Sequence, residues 1–224
     1  MTEPVRIALI HALAHSVAPI NQALERLWPQ AQRMNLLDDS LSADLARSAN
    51  GLDAAMHLRF ETLTAYAEST GADGILFTCS AFGPCIEAAA ARRPHLPVYK
   101  PNEAMVADAA ALGCKVGLIA SFAPTLVSMP PEFPAQVSLV CRLVQEAMQA
   151  LDEDRPDDHD AAVVQAAQEL KAQGCGAIAL AQFSMARAAP RVREAVGLPV
   201  LTTPDSAVHA LRRRLLGPVQ SPAS

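Results

Sequence analysis

Short apolar segments alternate with amphipathic segments along most of the chain. This alternation is typical of α/β proteins, in which each parallel strand is followed by a crossover helix. Apolar runs predict strands near 5–12, 32–36, 73–79, 97–99, 115–120, 136–141, 177–182 and 198–201. Helical spacing of apolar residues predicts helices within 21–27, 52–69, 86–93 and 161–171.

Glycine and proline mark the ends of these predicted elements. Gly71, Gly113 and Gly174 lie where helices would end, a position that favours a residue free to adopt positive φ. Pro97 and Pro199 stand immediately before two short predicted strands. Both signals support an ordinary α/β chain.

Three pairs of segments indicate an internal duplication. The segment 71–80, GADGILFTCS, resembles 174–183, GCGAIALAQF; Leu-Pro-Val at 96–98 recurs at 198–200; and RIALI at 6–10 resembles KVGLI at 115–119. The pairs occur in the same order and at nearly equal spacing, which favours duplication over chance. We therefore expect two pseudo-symmetric α/β lobes, each a mostly parallel sheet flanked by helices, at 1–99 and 100–203. A C-terminal helix at about 204–217 could pack on the first lobe.

Composition narrows the class of protein. The chain has 224 residues, of which 51% are hydrophobic and 18% charged, enough apolar surface for one large or two small cores. A net charge of −5, without a basic stripe or aromatic clusters, argues against nucleic-acid binding. No apolar run has membrane-spanning length and the N-terminus lacks a signal-peptide pattern, so we expect no membrane association and a cytoplasmic protein.

Cysteine and acidic residues give no sign of a metal site. The five cysteines are odd in number and scattered, which suits reduced thiols, and their spacing does not match a zinc site. The acidic segment 151–160 lacks the alternating acids and central glycine of a calcium loop. We expect it to be a solvated connection leading into a helix that starts near Ala161.

Polar residues follow the predicted strands at the edge where ligands usually bind. In parallel sheets this is the carboxyl edge, because strand ends expose polar groups and helix N-termini present N–H donors to anions. The candidates are His11, Thr78, Cys79, Ser80, Ser121, Thr125, Gln182, Phe183 and Ser184. Most are small and polar, as the binding of a carboxylate requires.

The sequence Thr78-Cys79-Ser80, at a strand end and opening a helix in a duplicated chain, resembles the aspartate/glutamate racemase superfamily. That superfamily also includes hydantoin racemases, maleate isomerases and arylmalonate decarboxylases. The resemblance implies an active site in the cleft between the lobes, no cofactor, a small carboxylate substrate and a possible homodimer. Cys79 matches the first-lobe catalytic cysteine, whereas Gln182 occupies the position of the second.

A thiol at this position suits proton transfer at the carbon next to a carboxylate. We expect the following helix to lower the pKa of Cys79, so that a thiolate base is accessible near neutral pH. Loss of the proton leaves charge on the carboxylate oxygens, which requires hydrogen-bond donors. The expected donors are the side chains of Thr78, Ser80, Ser121 and Thr125 and the amides of Phe183 and Ser184.

Gln182 leaves several functions open, because an amide is not a useful acid or base at neutral pH. The leading hypothesis is a racemase-like or isomerase-like enzyme with Cys79 as its acid or base, and His11 as a possible second proton-transfer group. The alternatives are a one-thiol decarboxylase or isomerase on the same scaffold, and a non-catalytic metabolite-binding protein. Cys79 could also be an inert core thiol, and the hydroxyls near helix starts could be N-caps.

Overall fold

The computed structural model describes residues 4–217, in which two parallel four-stranded sheets form the core of the fold. The strands of the first sheet are β1 (Arg6–His11), β2 (Gln32–Leu37), β3 (Gly74–Phe77) and β4 (Val98–Tyr99). Those of the second are β5 (Val116–Ala120), β6 (Leu139–Leu143), β7 (Ala177–Leu180) and β8 (Val200–Thr202). The sequence predicted all eight strands, within a few residues at each end.

The two sheets have the same topology. The strand order is β2-β1-β3-β4 in the first and β6-β5-β7-β8 in the second, and every pair is parallel. The central strands β3 and β7 are buried along their whole length, which explains their uninterrupted apolar sequences. This identity of order confirms the α/β fold with two pseudo-symmetric lobes.

Within residues 4–217, ten α-helices surround the sheets. They are α1 (Val17–Leu27), α2 (Ser40–Arg47), α3 (Ala54–Ser69), α4 (Gly83–Ala91), α5 (Glu103–Ala111), α6 (Ala123–Ser128), α7 (Gln145–Asp152), α8 (Pro156–Ala172), α9 (Ala189–Val196) and α10 (Thr203–Leu216). Helical spacing in the sequence predicts α1, α3, α4 and α8, and the expected C-terminal helix is α10. The other five helices have six to nine residues each and offer few turns over which an apolar period can repeat.

The prediction of a solvated connection at 151–160 holds only for the exposed residues 153–155, which join α7 to α8. The helix α8 begins at Pro156, whose fixed φ suits a first helical position, and Asp157 and Asp158 lie in the first turn, where negative charge is favourable. His159 is fully buried and Asp160 is 5% exposed. Arg187 donates to Asp160 from another element, at 2.9 Å between Nε and Oδ1.

Side chains from the second half of the chain complete the core of the first sheet. Phe183 packs in the same apolar cluster as Ile7 and Leu9 of β1, together with Val208 and Leu211 of α10. The C-terminal helix α10 therefore packs against the first sheet. The lobe boundaries at residues 99 and 203 stay a prediction. No helix in the described part of the chain combines the length and apolar character needed to cross a membrane.

Candidate active site

Cys79 and Gln182 occupy equivalent positions in the two sheets. Each follows its central strand by two residues, since β3 ends at Phe77 and β7 at Leu180. Both have extended backbones, with φ −122° and ψ 122° at Cys79 and φ −129° and ψ 147° at Gln182. Each is followed at once by a 3₁₀ turn. Cys79 and Gln182 therefore have equivalent backbone positions and conformations in the two sheets.

The thiol of Cys79 is half-buried and packs against the apolar cluster of the first sheet. Burial raises its pKa, and this effect outweighs hydrogen bonds from the Ala81 amide and the Ser42 hydroxyl, whose oxygen lies 4.0 Å from Sγ. The prediction of a lowered pKa is wrong for this structure, because burial outweighs the local hydrogen bonds of the turn that follows Cys79. Cys79 is thus a neutral thiol at pH 7, a potential proton donor.

The side chain of Gln182 is fixed by a single residue of the neighbouring strand end. Its Oε1 accepts from the Ser121 backbone N–H at 2.5 Å and from the Ser121 hydroxyl at 3.1 Å. Ser121 is 3% exposed, so water has little access to these donors. Because both Ser121 donors bond to Oε1, the oxygen end of the Gln182 amide faces Ser121. The two Nε2 hydrogens of Gln182 therefore point away from Ser121.

His11 is fully buried, and both of its ring nitrogens have protein partners. Nδ1 lies 2.8 Å from Thr78 Oγ1 and Nε2 lies 2.9 Å from Asn35 Oδ1. Because Asn35 Oδ1 also accepts from Asn21, its role is that of an acceptor, which assigns the hydrogen of His11 to Nε2. Nδ1 then accepts from the Thr78 hydroxyl.

This arrangement does not fit the predicted acid–base role of His11. Burial lowers its pKa despite the hydrogen bond with Asn35, so the ring is neutral at pH 7. Neither nitrogen is free for a substrate, and the hydroxyl hydrogen of Thr78 is directed toward the ring. His11 and Thr78 therefore form a structural pair behind Cys79.

Two further candidates join the turn after β3 to the helix after β5. The hydroxyls of Ser80 and Thr125 lie 3.0 Å apart, and both residues are buried. Ser128 Oγ adds a hydrogen bond to the Ser80 carbonyl at 3.1 Å. The predicted donors Ser80 and Thr125 thus form a hydrogen bond with each other. This bond uses only one of the two hydroxyl hydrogens.

The last two candidates differ in what they offer. The Phe183 side chain is 1% exposed and fills the core of the first sheet, so only its backbone could contact a ligand. The hydroxyl of Ser184 is buried and has no hydrogen-bond partner among the described residues. A buried polar atom without a partner is costly, which makes Ser184 the clearest candidate for a ligand contact.

Three residues of this region were not predicted from the sequence. Asn35 lies on the edge strand β2, whose sequence QRMNLL mixes polar and apolar residues, so no local pattern distinguishes it. Ser42 lies on α2 and approaches Cys79 without any local sequence signal. Phe122 follows Ser121 and packs, like Cys79, against the first-sheet cluster. All three contacts depend on how distant elements pack.

The fold and the site together define a class of protein: paired parallel α/β lobes whose matched strand ends carry the candidate polar residues. The family model for Asp/Glu/Hydantoin racemase matches residues 14–211, and the chain therefore belongs to this family. No curated protein matches the sequence significantly.

Solved structures of racemases share the fold at low sequence identity. Glutamate racemase RacE1 from Bacillus anthracis superposes with a TM-score of 0.77 at 13% identity, covering 96% of this chain and 82% of its own. Aspartate racemase from Picrophilus torridus gives 0.71 at 13% identity, covering 94% of each chain. Allantoin racemase from Klebsiella pneumoniae gives 0.67 at 18% identity, covering 98% and 96%. At these identities the likeness concerns the fold.

Proposed function

We propose that the protein is a cofactor-independent, racemase-type isomerase that transfers a proton at the carbon next to a small carboxylate, with Cys79 as its acid–base group. Membership of the Asp/Glu/Hydantoin racemase family supports a racemase-like enzyme. The observation that carries the assignment to Cys79 is its position at the end of β3, matched in β7 by a Gln182 that Ser121 fixes through two hydrogen bonds.

The proposed carboxylate site uses the donors that protein contacts leave free. They are the Gln182 Nε2 hydrogens, the Ser184 hydroxyl and the first backbone N–H groups of the turn Phe183–Ala188, which have no partner within the turn. Donors at this position would stabilise the negative charge that develops on the carboxylate when the neighbouring carbon loses its proton.

The proton step requires only Cys79 on its side of the substrate. The thiolate is the minor form of Cys79 at pH 7, because burial raises the pKa of the thiol. When this form removes the proton, the C–H bond breaks, an S–H bond forms, and the electron pair passes into the carboxylate. In the reverse direction the thiol returns its proton to the same carbon. Gln182 cannot serve the opposite face as a base, so inversion requires a proton from another group or from solvent.

A second candidate, a one-thiol decarboxylase, is favoured by the raised pKa of Cys79. A neutral thiol is already a proton donor and needs no prior deprotonation. In this reaction the bond to the departing carboxylate breaks, carbon dioxide leaves, and the remaining electron pair takes the proton from Sγ. Solvent then restores the thiol.

Product analysis in deuterated water separates these functions. The protein is incubated with amino acids, hydantoins and substituted malonates, and each product is followed by NMR and chiral chromatography. Deuterium incorporation with inversion supports the racemase, and release of carbon dioxide supports the decarboxylase. Binding without turnover would support the third alternative, a metabolite-binding protein, and would refute both enzymes.

Two cysteine variants make this experiment specific. Cys79→Ala should abolish turnover of any active compound, whereas Cys141→Ala, which removes an exposed thiol from β6, should leave it unchanged. Equal activity of the two variants would show that Cys79 is not the acid–base group.

A further inference from the structure

A cavity of about 490 Å³ opens beside the seam between the two sheets, away from Cys79. One wall is α1, and the other consists of the end of the turn Phe183–Ala188, the start of α9 and the start of α10. This volume lies within the range of small-molecule binding sites. The proposed reaction at Cys79 gives this cavity no role.

Three arginines border the cavity in a protein whose net charge is negative. Arg26, Arg187 and Arg193 line it together with a single carboxylate, that of Asp205. Arg26 pairs with Asp205 at 2.7 Å, and Arg193 donates to the Val200 carbonyl at 3.2 Å. Each guanidinium has five N–H donors, so most of these donors remain available to an anion.

A buried hydroxyl supplies an independent sign of a ligand. Thr202, the last residue of β8, lines the cavity and is 4% exposed, and its Oγ1 has no hydrogen-bond partner among the described residues. The 14-residue helix α10 begins at the next residue, so its N-terminal N–H groups add positive potential at this point. An anionic oxygen bound here would satisfy the hydroxyl.

We propose that this cavity binds a small metabolite carrying a phosphate or dicarboxylate group, held by Arg193, Arg26 and Thr202. A planar guanidinium recognises either group through paired hydrogen bonds. The bound anion would contact α1, which packs on the first sheet, and α9, which packs on the second. The site is therefore placed to stabilise one arrangement of the two lobes.

Arg187 connects the cavity to a buried pair at the start of α8. It donates to Asp160, which also lies 2.8 Å from Nδ1 of the fully buried His159. Because Arg187 also lines the cavity, an anion held by Arg193 and Arg26 changes the electrostatic potential at Arg187 and at its partner Asp160. Binding should therefore be visible in the NMR signals of the His159 ring, a signal that does not depend on enzymatic activity.

Titration calorimetry on the full chain tests the proposal, with inorganic phosphate and succinate as separate probes. The probe that binds more tightly identifies the preferred anionic group. Arg193→Gln should weaken binding about tenfold or more, as expected for loss of a charge-assisted contact. Thr202→Val, which keeps the side-chain shape, should weaken it by a smaller factor. Arg142→Gln, which removes an equal charge from exposed β6, should have no effect.

The same titration in Ser184→Ala, which removes a donor of the proposed carboxylate site, separates this proposal from the proposed reaction. Unchanged phosphate or succinate binding, together with a shift of the His159 signals, would support a site distinct from the strand ends. Binding lost in Ser184→Ala would place the anion at the strand ends and overturn the inference. Equal weakening by Arg193→Gln and Arg142→Gln, or no heat with either probe up to about 10 mM, would also overturn it.

Discussion

The contact between Ser121 and Gln182 allows a quantitative prediction. Gln182→Leu removes the acceptor of both the Ser121 N–H and the Ser121 hydroxyl. The hydroxyl can rotate toward another acceptor, but the N–H cannot, and Ser121 is almost fully buried. Since an unsatisfied buried donor costs about 1–3 kcal/mol, we expect the variant to lose about 2–4 kcal/mol of unfolding free energy.

A double-mutant cycle isolates the contact itself. Ser121→Ala removes only the 3.1 Å hydroxyl bond and leaves the 2.5 Å backbone bond, so it should cost about 1 kcal/mol. The double variant should cost less than the sum of the two single variants by about 1 kcal/mol, because both remove the same hydrogen bond. Urea unfolding resolves these differences. Gln165→Leu, at an exposed position of α8, is a control of the same chemistry and should be nearly neutral.

Two results would refute this reasoning. Additive effects of Ser121→Ala and Gln182→Leu would show that the hydroxyl does not hold the amide. A destabilisation by Gln182→Leu no larger than that of Gln165→Leu would show that Ser121 does not depend on Gln182 as an acceptor. Either result would remove the fixed carboxamide from the proposed carboxylate site.

Three further predictions concern the buried histidines, the cysteines and Gln182. Burial lowers the pKa of His11 and His159 below 6.5, so the unfolded chain takes up these protons first as the pH falls. The unfolding free energy in urea should therefore be nearly constant between about pH 7 and 8 and fall below about pH 6.5, and a value that does not change between about pH 7 and 5 would contradict this. Burial raises the pKa of both Cys79 and Cys141, but Cys141 is the more exposed residue. Iodoacetamide should therefore label Cys141 before Cys79 at pH 7, and faster labelling of Cys79 would contradict this order of access. Gln182→Cys supplies a second thiol and should increase the ratio of inversion to deuterium exchange. An unchanged ratio would argue against Cys79 and residue 182 lying on opposite faces of the substrate.

The fold could be predicted from the sequence because each strand is indicated by the residues within it and immediately after it. Apolar runs ended by polar residues fixed the eight strands, and the repeated segments around Cys79 and Gln182 indicated that the two positions correspond. The parallel ladders place both residues at the carboxyl edge of their sheets. These conclusions required only the pattern of residues along the chain.

The chemistry of the individual groups was less predictable, because it depends on packing. The pKa of Cys79 was predicted in the wrong direction, since burial against a distant cluster outweighs the local turn. His159 and Asp160 were assigned to solvent because they stand in a charged run, but Arg187 compensates Asp160 from 27 positions away. The pairing of Ser80 with Thr125 joins two lobes, and no local signal reports it.

The central claim is that Cys79 exchanges a proton with the carbon next to a substrate carboxylate. The most direct measurement is the rate of deuterium incorporation at that carbon in deuterated water, compared between the unmodified protein, Cys79→Ala and Cys141→Ala. The account predicts incorporation by the unmodified protein and by Cys141→Ala, with a loss of about 100-fold or more in Cys79→Ala. Incorporation at an undiminished rate in Cys79→Ala would contradict it.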